Sequence, residues 1–305
     1  MFEGPGPKAR VGAATEVILP QKAGVTQIAA ALGRAGVIRS AAFFVIAAEL
    51  NGAAQRLKAG DYVIRSGTSM ARIMRMIRAG AIARRFVTIP EGLSSAAVAD
   101  ILASRDDLTG PAEPAPEGSI LPETYEVRRG ETRAAVTRRM QAAQTALLAD
   151  LWPLRAANLP FKTPDEADTL ASIVEKETAR ADERARIAAV FINRLDKGMR
   201  LETDPTVIYG LTGGRPLGHG LRVSELAKRT PYNTYQVSGL PPTPIGNPGK
   251  AALNATLNPD KTLDLYFVAD GTGGHVFAAT FAEHQRNVAK WRAIEQARAR
   301  AGAKP

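Results

Sequence analysis

The chain has 305 residues, of which 45% are hydrophobic and 23% charged, and this composition excludes a largely disordered protein. Cysteine is absent, which excludes disulfide bonds, thiol nucleophiles and cysteine-ligated zinc. Lys and Arg number 40 and Asp and Glu number 30, a formal charge of +10. This charge admits a nucleic acid, an anionic membrane or an acidic polymer as partner.

No segment of the sequence is a candidate for a membrane span. Residues 1–8 lack the basic and apolar regions of a secretion signal. The longest apolar run, residues 41–48, is too short for a spanning helix, which needs about 20 such residues. It predicts a buried helix instead, with Ser40 as the N-terminal cap.

An internal duplication is predicted in the first half of the chain. Residues 17–78 and 87–140 both follow the order strand, helix, strand, helix, which suits a small αβ module. Each copy resembles a LysM-type glycan-binding fold, and it either grips a sugar polymer or serves as a scaffold. The matching positions are Pro20 and Pro90 at the strand ends, Gly24 and Gly92, the predicted helix caps Thr26 and Ser94, and Tyr62 and Tyr125 at the second strands.

A strong helix follows a proline-punctuated linker at residues 152–164. Thr163 is the predicted cap of this helix, and Pro164 takes its first position. Glu175 and Glu177 then lie about 80° to either side of its apolar face, so each carboxyl can be half-buried. Burial raises the pKa of a carboxyl towards neutrality, as a general acid requires. On helix geometry alone, however, an ordinary ion-paired glutamate is the favoured interpretation of both.

Several runs in a fixed order change this interpretation. Together they closely resemble the endolytic murein transglycosylases, the YceG-like family, over roughly residues 4–295. The runs are 90–92 (PEG), 122–125 (PETY), 170–178 (LASIVEKET), 190–195 (VFINRL), 203–210 (TDPTVIYG), 232–235 (YNTY), 239–245 (GLPPTPI) and 265–271 (LYFVADG).

The resemblance implies lytic cleavage of the bond between MurNAc and GlcNAc inside peptidoglycan strands, with 1,6-anhydro-MurNAc ends as products. It places the catalytic glutamate at Glu175, with Glu177 as the second choice. A single carboxyl suffices, because the C6 hydroxyl of the same sugar is an internal nucleophile with a large effective molarity. The substrate's acetamido group can also assist.

The other runs supply candidate walls for a sugar-binding groove. Rigid turns at residues 204–205 and 239–244 leave a purely structural role equally open. Asn193, in particular, either orients Glu175 or holds a packing contact. The predicted substrate-binding residues are Asn193, Thr203, Asp204, Thr206, Tyr209, Tyr232, Asn233, Thr234 and Tyr235.

A glycine-rich run at residues 270–274 predicts a hairpin turn between two strands. His275 then begins the second strand, and a structural role is favoured over catalysis there. Only two other histidines exist, His219 and His284, so neither a metal site nor a cofactor is predicted.

The predicted fold class is α+β, with duplicated LysM-like αβ modules before a mixed α+β catalytic domain. The family normally carries a transmembrane helix just ahead of this segment, so we expect a missing membrane anchor and a site of action at the periplasmic face of the inner membrane. Expected partners are glycan strands and peptidoglycan synthases, and not nucleic acid, since no such motif is visible. The alternative is a non-catalytic peptidoglycan-binding scaffold. The predicted segments are 1–14 (linker), 15–83 and 84–160 (modules), 161–298 (catalytic domain) and 299–305 (flexible tail).

Overall fold

A computed structural model describes residues 2–300 and Gly302. It divides into two compact units, Met1–Arg85 and Phe86–Pro305. Part of the predicted tail, residues 301 and 303–305, lies outside the described residues. Within the described part, no helix has the length and apolar character to cross a bilayer.

The first unit is a two-stranded sheet covered by helices. Its elements are β1 (Ala14–Leu19), α1 (Val25–Arg34), α2 (Ala41–Leu50), β2 (Gly60–Arg65) and α3 (Met70–Ala79). The strands are antiparallel, with Val17 opposite Tyr62. Both of these side chains point into the core, and alternate residues point outward, as the period of two in a strand requires.

The cap of α2 is confirmed, because the Ser40 hydroxyl accepts the Phe43 backbone N–H at 3.2 Å. The predicted cap of α1 is wrong, since Gly24 and not Thr26 takes the N-cap position. The Gln27 side chain accepts the Gly24 backbone N–H at 3.2 Å, so the helix starts two residues earlier than expected.

Strand β3 (Arg85–Thr88) starts at the last residue of the first unit, and the second unit continues with α4 (Ser95–Ala103), β4 (Leu108–Thr109), β5 (Thr124–Val127), β6 (Glu131–Thr132) and α5 (Arg133–Leu151). β3 pairs with β5, and β4 pairs with β6 in parallel. The cap of α4 is confirmed, as the Ser94 hydroxyl accepts from Ala97 N at 3.3 Å.

The two predicted copies share one local contact. The Tyr62 hydroxyl donates to the Lys58 carbonyl at 2.8 Å, and the Tyr125 hydroxyl donates to the Leu121 carbonyl at 2.7 Å. The copies also differ, because α2 interrupts the first and the β4–β6 pair interrupts the second. The duplicated LysM-like modules therefore stay a prediction.

The rest of the second unit is mainly helical. After a 3-10 turn at Trp152–Leu154 come α6 (Pro164–Glu177), α7 (Arg184–Asp196), α8 (Asp204–Thr212), α9 (Val223–Ala227), α10 (Lys250–Leu257), β7 (Tyr266–Ala269), β8 (His275–Ala278) and α11 (Phe281–Arg300). The predicted hairpin is confirmed by the antiparallel pair β7–β8. The whole is a mixed α+β fold with small sheets. The predicted segments 84–160 and 161–298 share one compact unit, and the boundary between them stays a prediction.

Candidate active site

Helix α6 carries both candidate acids in its last turn. It begins as predicted, with a capping box in which Thr163 Oγ1 accepts from Glu166 N at 3.2 Å and Glu166 Oε2 accepts from Thr163 N at 3.0 Å. Its apolar face is fully buried against α7 and α10. A capped and packed helix holds the positions of Glu175 and Glu177 firmly.

Glu177, the last residue of α6, is half-buried. Thr203 Oγ1 donates a short hydrogen bond to Glu177 Oε1. Burial raises the pKa of this carboxyl, and the nearby Asp204 adds to that effect. The Thr203 hydrogen bond and the charge of His275 act in the opposite direction. A carboxyl in this setting is suited to hold and release a proton.

A cavity of about 350 Å³ opens beside Glu177. It contains three of the predicted substrate-binding residues, Thr203, Asp204 and Tyr235. The Tyr235 hydroxyl donates to Asp204 Oδ1 at 2.8 Å, and burial together with Asp204 raises the pKa of Tyr235. The hydroxyl therefore stays protonated. The cavity combines hydroxyl, carboxylate and aromatic groups, the kinds of group that bind sugars.

Glu175 faces different segments of the chain. Its Oε2 accepts the backbone N–H of Gly249 at 3.0 Å. Burial raises the pKa of this carboxyl too; the Gly249 hydrogen bond lowers it, and the charge of Glu91 raises it further. Gly92 lies so close that a side chain there would stand 3.3 Å from the Glu175 Cγ. The PEG run therefore belongs to the surroundings of Glu175 and not of Glu177.

Three predicted residues form a buried layer that supports the cavity. Thr206 and Thr234 share a hydrogen bond of 2.8 Å, and Thr234 Oγ1 accepts the Thr203 backbone N–H at 3.1 Å. Asn233 donates to the carbonyls of Leu226 and Lys228. All three are completely buried, so their contacts position Thr203 and the loop after α9.

Asn193 contacts the segment between α10 and β7. Its amide nitrogen donates to the carbonyls of Thr262 and Asp264, each at 3.0 Å. These bonds fix the segment that leads into β7. Of the two roles that the sequence left open for Asn193, these contacts favour the packing role.

The two remaining predicted residues, Tyr209 and Tyr232, do not line the cavity beside Glu177 but contact Glu117 and Thr243, which line a second groove. Their rings are 4.8 Å apart. The Tyr209 hydroxyl donates to Glu117 Oε2 at 3.0 Å, and the Tyr232 hydroxyl shares a hydrogen bond with Thr243. Glu117 lies among the residues that line this groove of about 930 Å³.

The sequence reasoning missed two acidic residues of that groove, Glu117 and Asp168. Burial raises the pKa of Asp168 to about 8, and Gln144 Nε2 donates to its Oδ1 at 2.8 Å. The one local indication of these two acids in the sequence is Gly118. It has a φ of +79°, and a side chain at this position would collide with the Asp168 carboxyl.

Glu183 was also missed. Its carboxylate accepts from both His275 Nδ1 at 2.7 Å and the His275 backbone N–H at 2.9 Å, and Arg180 lies 3.3 Å away. A side chain at Gly274 would collide with this carboxylate. His275 thus begins its strand as predicted, in an orientation that Glu183 fixes.

Comparison with known proteins gives one consistent result. The YceG-like family model matches residues 17–290. The endolytic murein transglycosylase of Bacillus subtilis (strain 168) is 31% identical over 308 residues, which cover 90% of this chain and 83% of that protein. The protein of the same name from Streptococcus pneumoniae (strain D39) is 29% identical, and the match covers 89% of this chain but 57% of the longer relative.

Among solved structures, a yceG-like protein from Listeria monocytogenes is similar, with a TM-score of 0.56 and 27% identity over 90% of this chain and 98% of that chain. The family match spans most of the sequence and includes every candidate site residue. This chain therefore belongs to the YceG-like family.

Proposed function

We propose that this protein is a lytic transglycosylase that cleaves the MurNAc–GlcNAc β-1,4 bond within peptidoglycan strands and leaves 1,6-anhydro-MurNAc ends. The names of its relatives support peptidoglycan as the substrate. The observation that carries the proposal is the half-buried carboxyl of Glu177 in a cavity with hydroxyl, carboxylate and aromatic groups.

Glu177 is the acid that we propose, although the sequence favoured Glu175. Its carboxyl is hydrogen-bonded to Thr203 and shares a cavity with Asp204 and Tyr235. Glu175 instead accepts a backbone N–H and lies near a second carboxylate, Glu91. The cavity beside Glu177 leaves space for a sugar next to the proton that must be transferred.

In this mechanism the protonated Glu177 donates to the glycosidic oxygen while the bond from that oxygen to C1 of MurNAc breaks. The resulting carboxylate then accepts the proton of the C6 hydroxyl, whose oxygen forms the new bond to C1. Atoms and protons balance, and Glu177 ends the cycle protonated. Since the nucleophile belongs to the substrate, no second carboxylate has to activate water.

The two glutamates form a matched pair for a test. We expect Glu177→Gln to reduce the release of anhydro-MurNAc ends from purified sacculi at least about a hundredfold, the usual contribution of a general acid. Glu175→Gln, two residues away on the same helix, should retain most of the activity. Products are identified by mass spectrometry, and thermal unfolding shows whether each variant is folded.

Other outcomes are equally informative. Loss of activity only in Glu175→Gln would move the acid to Glu175 and leave the reaction intact. Release of anhydro ends by neither the variants nor the wild type would instead support the scaffold alternative.

We also propose a cellular role, the termination of growing glycan strands at the periplasmic face of the inner membrane, beside peptidoglycan synthases. An endolytic lyase shortens strands wherever it cuts. Cells that lack the protein should therefore contain longer strands, and expression of the Glu177→Gln variant should fail to restore their length. Unchanged strand lengths would count against this role but not against the reaction.

A further inference from the structure

The net positive charge of this protein comes almost entirely from its first unit. Residues 1–85 contain 13 Lys and Arg and 4 Asp and Glu, a net charge of +9. The second unit therefore carries only +1 of the total of +10. A charge separated in this way creates a directional electrostatic field.

The basic patch comprises Arg56, Lys58, Arg72, Arg75 and Arg78. Helix α3 buries Ile73, Met74 and Ile77 in the core, and its outer face carries an arginine at every third position. All three arginines are exposed. Arg78 shares a shallow groove with Arg56 and Lys58, so the row of arginines on α3 meets the other two cations at Arg78.

Within the described part of the chain, no acidic side chain pairs with this patch. Among the residues that the structure describes, none of its five members makes an ion pair with Asp or Glu. Two of the four carboxylates in the unit, Glu16 and Asp61, bind Arg85 instead. An unneutralised cluster of this size attracts anionic partners over several ångströms.

The spacing of the cations indicates an extended partner. Arg72 and Arg78 are six residues apart, about 9 Å along the helix axis, so the patch does not converge on one small anion. Apolar side chains lie among the cations: Leu57 lines the same groove, and Ile82, close to Gly60, is 36% exposed. Mixed basic and apolar surfaces bind at the boundary of headgroups and acyl chains.

From this combination we propose that the basic patch binds the surface of an anionic lipid bilayer. This interaction goes beyond the proposed reaction and does not depend on it. It would hold the first unit against the membrane by electrostatic attraction, and the exposed apolar groups would add contact with the lipid.

The test compares binding of the full chain to vesicles of phosphatidylcholine with and without phosphatidylglycerol. We expect binding only to the anionic vesicles, weakening as salt is raised. The triple variant Arg72→Gln/Arg75→Gln/Arg78→Gln should bind about a hundredfold more weakly, since each cation contributes about fivefold. The control Arg286→Gln/Arg292→Gln/Arg300→Gln removes three exposed charges from α11 and should bind like the wild type.

Several results would overturn the proposal: equal binding to neutral vesicles, full binding by the α3 variant, or an equal loss in the α11 control. Tighter binding to duplex DNA than to anionic vesicles at the same salt would assign the patch to nucleic acid. If the glutamine variant is unfolded, the variant with lysine at the same three positions must retain binding. Release of anhydro ends from detached strands should be unchanged in the α3 variant, which separates this test from that of the reaction.

Discussion

Burial of the Asp168 carboxyl lowers the free energy of unfolding at neutral pH, and this effect can be measured. Asp168 lies on the buried face of α6. Gln144 donates a hydrogen bond to its carboxyl, and Asp165 and Glu117 lie near enough to repel a negative charge there. Burial and these charges raise its pKa from 3.8 to about 8. In the unfolded chain the same group ionises near its ordinary pKa, so folding between these two pH values requires uptake of a proton.

We therefore predict that Asp168→Asn stabilises the protein at neutral pH. The native state of the wild type holds a proton that the unfolded state has lost, so its stability falls as pH rises from about 4 to 8. Asparagine cannot ionise and avoids this loss. The gain in the free energy of unfolding should reach the order of 3 kcal/mol at pH 7 and shrink at pH 5.

Urea unfolding at several pH values checks this prediction. The exposed Asp150 on α5 provides the control, because Asp150→Asn removes a carboxyl without removing a buried one. A gap between wild type and Asp168→Asn that stays constant with pH would contradict the raised pKa.

At the scale of elements, one buried side chain connects three segments of the second unit. Asn247 Oδ1 accepts from Ile120 N at 3.0 Å, and its amide nitrogen donates to the Leu93 carbonyl at 2.9 Å. Its backbone exchanges hydrogen bonds of 2.8 Å with Gly92 and Leu93. Through these bonds, the loop before α10 is fixed beside the start of α4, and Gly249 is held against Glu175.

We expect Asn247→Ala to destabilise the protein by about 2 kcal/mol, because the buried Ile120 N–H loses its partner and the Leu93 carbonyl loses one of its two donors. Asn254→Ala is the matched control, since Asn254 is exposed on α10 and alanine favours a helix. Urea unfolding measures both. Equal stability of the two variants would show that the Asn247 contacts contribute little.

Contacts between residues close together in the sequence could be predicted, and contacts between distant residues could not. The caps of α2, α4 and α6 were predicted because the capping residue and its partner are three positions apart. The start of α1 was predicted two residues late because its cap, Gly24, has no side chain that could bond the helix, and the contact comes from Gln27 instead. Asn247, however, binds residues 127 to 154 positions away, and nothing in the local sequence indicates those contacts.

The same limit applied to the two glutamates. The helix period correctly placed Glu175 and Glu177 on opposite sides of the apolar face, since one meets Gly249 and the other Thr203. Which of the two faces a cavity depends on segments that meet α6 only in the folded chain.

At the scale of the whole molecule, the boundary at residue 85 separates a strongly basic unit from one that is nearly neutral. Dividing the chain near its middle, at residue 160, gives charges of +6 and +4, which hides the concentration in the first 85 residues. The compact units define the segment over which the charge is counted. The predicted module boundary at residue 83 lies two residues from this division, and a count made there shows a similar concentration of charge.

We predict that residues 1–85 fold without the rest of the chain. This unit has its own core around Phe44, Tyr62 and Ile73, and Arg85 at its end binds Glu16 and Asp61 within it. Units of this size commonly fold alone.

Circular dichroism should show a cooperative thermal transition for the isolated unit. A fragment that ends at residue 80 lacks Arg85 and should melt at a lower temperature. A gradual transition in the longer fragment would show that the first unit requires the second to fold.

The position of Glu177 at the very end of α6 has an electrostatic consequence. The last carbonyl groups of a helix have no partners within it, and the aligned peptide dipoles place about half a negative charge there. This potential favours the protonated form of a carboxyl in the final turn. The backbone of the 14-residue helix thus favours the protonated form of Glu177. A substitution that frays the last turn should therefore lower the pH at which Glu177 loses its proton.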